Sequence, residues 1–139
     1  MARPVYRIAT TVFAAAAGLV AAADAVTAGD VRHPTIPKEV WGTWALNRDY
    51  CTADDKSNLV TIREGGAVGP QENCAVQYVV ETAGAKGPIY SSHMLCTDKN
   101  DAAKKTAMSF IAIPQGPDSM SVGADFDSLK TYFRCAAAN

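Results

Sequence analysis

The stretch IPKEVWGTWALNRDYC, residues 36–51, holds both tryptophans of the 139-residue chain, Trp41 and Trp44, on either side of a Gly-Thr pair. Its cysteine, Cys51, stands seven positions past the second tryptophan. Gly42-Thr43-Trp44 opens a short apolar run, GTWAL (42–46). The largest aromatic surface of the chain therefore sits on what reads as the first strand of a β fold. Trp44 is expected to fill its core. Trp41, just before the glycine, is left as a candidate contact residue.

Downstream, short runs rich in β-branched and aromatic residues alternate with clusters of Gly, Pro, Asn and Asp. The runs are NLVTIRE (58–64), CAVQYVVE (74–81), IYSSHMLC (89–96), TAMSFIAIP (106–114), SMSVG (119–123) and LKTYFRC (129–135). Strands of this length at this spacing predict an antiparallel sandwich or barrel. Past residue 25 no segment keeps a helical period for three turns, and DAAKKTAMSF offers at most one short helical turn. Alternation assigns sides. In LKTYFRC it puts Leu129, Thr131, Phe133 and Cys135 on the core face, and in CAVQYVVE it groups Val76, Tyr78 and Val80. Met108, Phe110, Leu129 and Phe133 are expected to fill the interior, leaving no cavity as large as about 300 Å³.

The N-terminus has a different character. Arg3 and Arg7 precede an Ala-rich apolar stretch (8–23), and Ala23-Asp24-Ala25 fits a small-x-small cleavage site. Residues 1–25 thus read as a signal peptide, too short for a bilayer span, with Val26 as the mature N-terminus. Removing 1–25 from 139 residues leaves 114. Arg3, Arg7 and Asp24 go with them, so 13 basic and 14 acidic residues become 11 and 13, a net charge of −2. Such a chain has no electrostatic pull toward nucleic acid or an anionic membrane. Residues 26–38, with Gly29, Pro34 and Pro37, read as an extended arm outside the fold, and 39–139 as a single domain. A monomer is expected, periplasmic or secreted, with no membrane span after cleavage.

Cys51, Cys74, Cys96 and Cys135 all follow the cleavage site, and an even count in a small exported domain predicts two disulfides. Three connectivities are open, and Cys51–Cys74 with Cys96–Cys135 is favoured. Spacings of 23, 22 and 39 positions are unlike a metal site, and with only His33 and His93 no metal or other cofactor is expected. The acidic loops TADDKSN and TDKNDA lack EF-hand spacing. No Gly-x-Ser-x-Gly occurs and no free thiol is expected, so no catalytic set is nominated. A non-enzymatic binding or interaction domain is the expectation.

Three resemblances extend this reading. Gly42-Thr43-Trp44 resembles the first strand of lipocalin-like, calycin-type barrels, which implies an up-and-down barrel of about eight strands. It also implies that Trp44 plugs the closed end and that Arg134, near the end of the last strand, packs over it. A carrier of a small apolar ligand is the corresponding function. Gly42, Trp44, Cys51 and Cys74 together resemble bacterial inhibitors of secreted alkaline metalloproteases. That resemblance implies a protease partner, a bond between such cysteines, and an N-terminal arm whose Val26 amine approaches the catalytic zinc, with His33 as an alternative contact. Taken whole, the Gly-x-Trp start, four cysteines and YFRC end resemble a group of small exported proteobacterial β-barrel proteins with no assigned activity.

Overall fold

The computed structural model describes residues 29–136. The segment read as a signal peptide, and Val26 after it, lie outside the described residues. Each of the seven runs read as strands forms one: β2 (Gly42–Ala45), β3 (Leu59–Arg63), β5 (Glu72–Gly84), β6 (Gly87–Asp98), β7 (Lys105–Pro114), β8 (Ser119–Gly123) and β9 (Lys130–Arg134). Two more lie where none was expected: β1 (Val31–His33), in the arm, and β4 (Gly66–Val68), in the Gly-rich separator. No α-helix occurs among the described residues, only 3₁₀ turns at Lys38–Val40 and Arg48–Cys51. The helical turn expected around 101–110 is replaced by a tight turn, Lys104 N–H to Asp101 C=O, that runs straight into β7.

Strands β2 to β9 pair antiparallel in chain order, and β9 returns to β2 through Trp44↔Arg134 and Ala45↔Phe133. The result is a closed eight-stranded up-and-down barrel. Closure removes free edges except where strand lengths disagree. β4 reaches only to Gly66↔Ala75, whereas β5 runs on to Gly84. β1 covers that exposed edge, pairing Val31↔Glu81 to His33↔Val79. The arm is therefore part of the fold, contrary to expectation. Ile36 and Val40 are buried core residues, and Ile36 N–H donates to Glu64 C=O at 2.9 Å. The β3–β4 turn depends on Gly66 (φ +157°), where a Cβ would collide with the Cys74 carbonyl oxygen.

The two disulfides are Cys51–Cys135 and Cys74–Cys96, so the favoured pairing is corrected. Register decides them. Cys74 and Cys96 are direct partners across the β5–β6 hairpin. The 3₁₀ turn after β2 brings Cys51 to Cys135 at the end of β9. Sequence distance is a poor guide because strand pairing makes remote residues neighbours.

Two side assignments also reverse. On β9 it is Tyr132 that packs against the core, while the outer Phe133 lies beneath the Arg48 guanidinium at 4.7 Å. The loop carrying Arg48 and Cys51 covers this wall, and Ala45 beneath it is wholly buried. Each face of β9 consequently carries one packed aromatic ring, and alternation alone could not choose between them. On β5 a bulge between Val76 and Tyr78 shifts the phase. Val76 packs against the core before it and Val79 is buried after it, while Tyr78 points out.

Candidate functional site

The two ends of the barrel differ. At one end the chain turns through 35–41, 64–65, 85–86 and 115–118; at the other through 46–58, 69–71, 99–104 and 124–129. The first end is closed. Trp44, 1% exposed, donates its indole N–H to Val40 C=O at 3.0 Å. The Arg134 guanidinium lies over its ring, 4.2 Å from the centroid, a cation–π contact. The same guanidinium donates to three backbone carbonyls: Pro117 at 2.6 Å, Glu39 at 2.9 Å, and Trp41. Gly42 permits the approach, since its φ is +136° and a Cβ would come within 2.6 Å of the Arg134 Nη1. Gly42, Trp44 and Arg134 are thus brought together as the closed-end plug, and one arginine ties the 38–41 turn, β2 and the 115–118 loop into a lid.

Trp41 belongs to this lid. It is half-buried, and its indole N–H donates to Ile36 C=O at 2.8 Å. His33 is likewise engaged, its Nε2 lying 2.6 Å from Glu81 Oε2 across the β1–β5 pair. Neither side chain reaches out as a free contact. Cys51 and Cys74, the pair on which the protease-inhibitor resemblance drew, are bonded to other partners.

The other end is open. Inside it lies a cavity of about 440 Å³ that reaches from the mouth down to Trp44. Ile62, Met94 and Met120 line its buried end, and Val60, Phe110, Val122 and Tyr132 its walls, with the Cys74–Cys96 disulfide among them. The charged residues of its lining, Glu72 and Lys130, stand toward the mouth with Ser128. The expectation of a filled interior is overturned. Phe133 and Leu129 do not line the cavity, and Met108, which does, is 43% exposed beside the opening. The volume falls within the range of small-molecule sites, about 300–1,000 Å³.

One mouth loop is held in shape. Asp125 Oδ1 accepts from Ser128 N–H at 2.8 Å, and Ser128 Oγ accepts from Asp125 N–H at 3.1 Å. Hydrogen bonding from Ser128 to the carboxyl, by its hydroxyl first and its amide N–H second, holds Asp125 below the usual carboxylate range. A broader polar recess adjoins the mouth, where Asp98 and Lys104 pair at 3.8 Å.

Other chemistry is thin. Glu72, Cys74 and Cys96 place ligand-type atoms within 4.8 Å of one another, but both sulfurs are bonded and offer no thiolate. On the outer wall Arg32 lies over Tyr78, which stacks on His93, whose Nδ1 meets Ser109 Oγ at 3.0 Å. Among the described residues no carboxylate orients this imidazole, so the pair lacks the third member of a nucleophilic triad. Comparison with models of known protein families, with curated proteins and with solved structures gives no match. The geometry alone carries the functional reading. Sequence reasoning reached the plug through the lipocalin-like resemblance, with Gly42-Thr43-Trp44 at one end of the chain and Arg134 at the other. It missed the cavity because inward-facing residues of β3, β6, β7 and β8 become a wall only once the ring closes.

Proposed function

We propose that this protein is a non-enzymatic binding protein, exported to the periplasm or beyond the cell, that takes up a small, largely apolar molecule in its open barrel. The observation that carries this reading is the cavity of about 440 Å³, apolar in its depth and charged only at its mouth. Transfer of apolar surface from water into such a site is favourable by about 25 cal/mol per Å². The closed end supports the reading as well. With Trp44 and Arg134 sealing one side, entry and exit pass through the mouth, and the lid loops need not move.

The test is uptake of a neutral hydrophobic dye. One dye per chain at micromolar affinity is expected, with Trp44 emission changing on binding because that ring lines the cavity. A Val122→Trp variant places an indole in the void; it should lose uptake while keeping its unfolding temperature within a few degrees. Failure of the unaltered protein to bind any dye stoichiometrically would dispose of the proposal, as would full uptake by the filled variant.

A further inference from the structure

The mouth of the cavity is not merely polar: it carries one charge of each sign on opposite walls. Glu72 is the first residue of β5 and Lys130 the first of β9, and both line the cavity. Around the ring β2–β3–β4–β5–β6–β7–β8–β9, strands β5 and β9 stand four steps apart, which is half of the circuit. The two side chains therefore enter the opening from facing sides.

Neither charge is matched by an ion pair among the described residues. The ion pairs among the described residues are His33–Glu81 and Lys104–Asp98. Glu72 stands directly across the strand pair from Asp98, so two carboxylates share this wall, with Lys104 turned to one of them. Lys99 stands at the same rim, but its ammonium donates to Gly69 C=O at 2.6 Å and not to Glu72. Opposite, Lys130 has the apolar Val122 as its cross-strand partner. Both side chains stand at the rim in reach of solvent, Lys130 exposed and Glu72 half-buried. The rim thus carries one charge of each sign, and among the described residues neither belongs to an ion pair.

We propose that the ligand is a zwitterionic amphiphile. Its apolar body lies in the barrel, its cationic group faces Glu72 and its anionic group faces Lys130. The inference rests on the cavity being a binding site and adds the chemical class of what binds there. The facing charges do more than attract: they select. A singly charged head gains one favourable partner and meets one like charge, whereas a zwitterion set the right way round satisfies both walls.

The experiment compares four single-chain probes with the same dodecyl tail, each below its micelle concentration, by calorimetric titration. Their heads are phosphocholine, sulfate, trimethylammonium and maltoside. The phosphocholine probe is expected to bind about tenfold more tightly than the other three, the scale of one charge-assisted contact. Glu72→Gln should abolish that advantage and make the sulfate probe the tightest. Lys130→Gln should do the reverse and favour trimethylammonium. Both residues are at least partly exposed, so neither change should alter the unfolding temperature. Equal affinity for all four heads would overturn the assignment while leaving the cavity as a binding site. Tightest binding of a singly charged probe by the unaltered protein, or unchanged preference in both variants, would overturn it too. Binding of no probe at all would bring down the cavity reading itself.

Discussion

The closed and open ends of this barrel are built from the same alternation and come to opposite results. At the closed end the largest side chain of the chain, Trp44, fills the interior, and the indoles and the Arg134 guanidinium all end on backbone carbonyls. At the open end inward residues stop short of one another and leave a cavity. Large apolar side chains exposed there are Leu46, Val68, Met108 and Phe126, whereas Val31 and Tyr50 are such residues elsewhere among those described. On the proposed reading, stability is expected to be concentrated where the barrel is full and binding where it is not, a division usual wherever a site must stay unfilled to work.

The disulfides offer the strongest way to break that comparison. Cys51–Cys135 joins residues 84 apart in sequence and clamps the 46–58 loop on the outer wall, while Cys74–Cys96 joins residues 22 apart within one hairpin. In the chain-entropy account the first stabilises by roughly 4–5 kcal/mol and the second by roughly 3 kcal/mol. The hairpin bond is also the one that lines the cavity. Replacing Cys51 and Cys135 with serine should therefore lower the denaturation midpoint more than replacing Cys74 and Cys96, by denaturant titration at neutral pH. The opposite order would show that the hairpin, not the long clamp, governs stability.

A smaller contrast separates the interior residues of the two ends. Trp44→Ala removes a wholly buried ring from beneath Arg134 and should cost about 3–5 kcal/mol. Met108→Ala, in the same barrel but beside the opening, should cost less than about 1 kcal/mol. Thermal unfolding of the two variants decides it. Comparable losses would mean that the open half is packed as tightly as the closed one, contrary to the cavity.

How much of this was legible in the sequence follows the same division. GTWAL and YFRC pointed to the closed end only through the resemblance to lipocalin-like barrels, since Trp44 and Arg134 stand far apart in sequence and meet through the β2–β9 register. Strand runs were legible because β-branched alternation is local. What failed was whatever depends on how strands meet. The bulge at Val76/Tyr78 shifts the phase of β5 by one residue, and the loop bearing Arg48 covers Phe133 on the outer side of β9. Cys74 found Cys96 because a hairpin register placed them opposite. β1 formed because β5 outruns β4, a difference in length that the residues of VRH do not state. Glu72 and Lys130 became facing charges only through ring closure.

Alkaline pH sharpens the comparison by probing the closed half through a single proton. Tyr90, 3% exposed on β6, sits in the core cluster with Trp44 and Ile36. Burial, and then the nearby charges of Glu39 and Glu81, push its phenol from 10.0 up to about 12. An unfolded tyrosine ionises near pH 10, so between pH 10 and 12 the unfolded chain has released a proton that the folded chain still holds. Stability must then fall as pH rises through this window, because the unfolded state binds fewer protons. It is fully present below pH 10 and levels off above about 12. At about 1.4 kcal/mol per pH unit the loss reaches roughly 2–3 kcal/mol. Tyr90→Phe keeps the ring and removes the ionisable group, so unfolding free energies measured at pH 7, 10, 11 and 12 should diverge from those of the unaltered protein only above pH 10. Parallel decline of the two would place the alkaline weakness elsewhere. A shallower slope in the phenylalanine variant would locate it in the filled end of the barrel, where burial leaves an ionised phenolate no water to face.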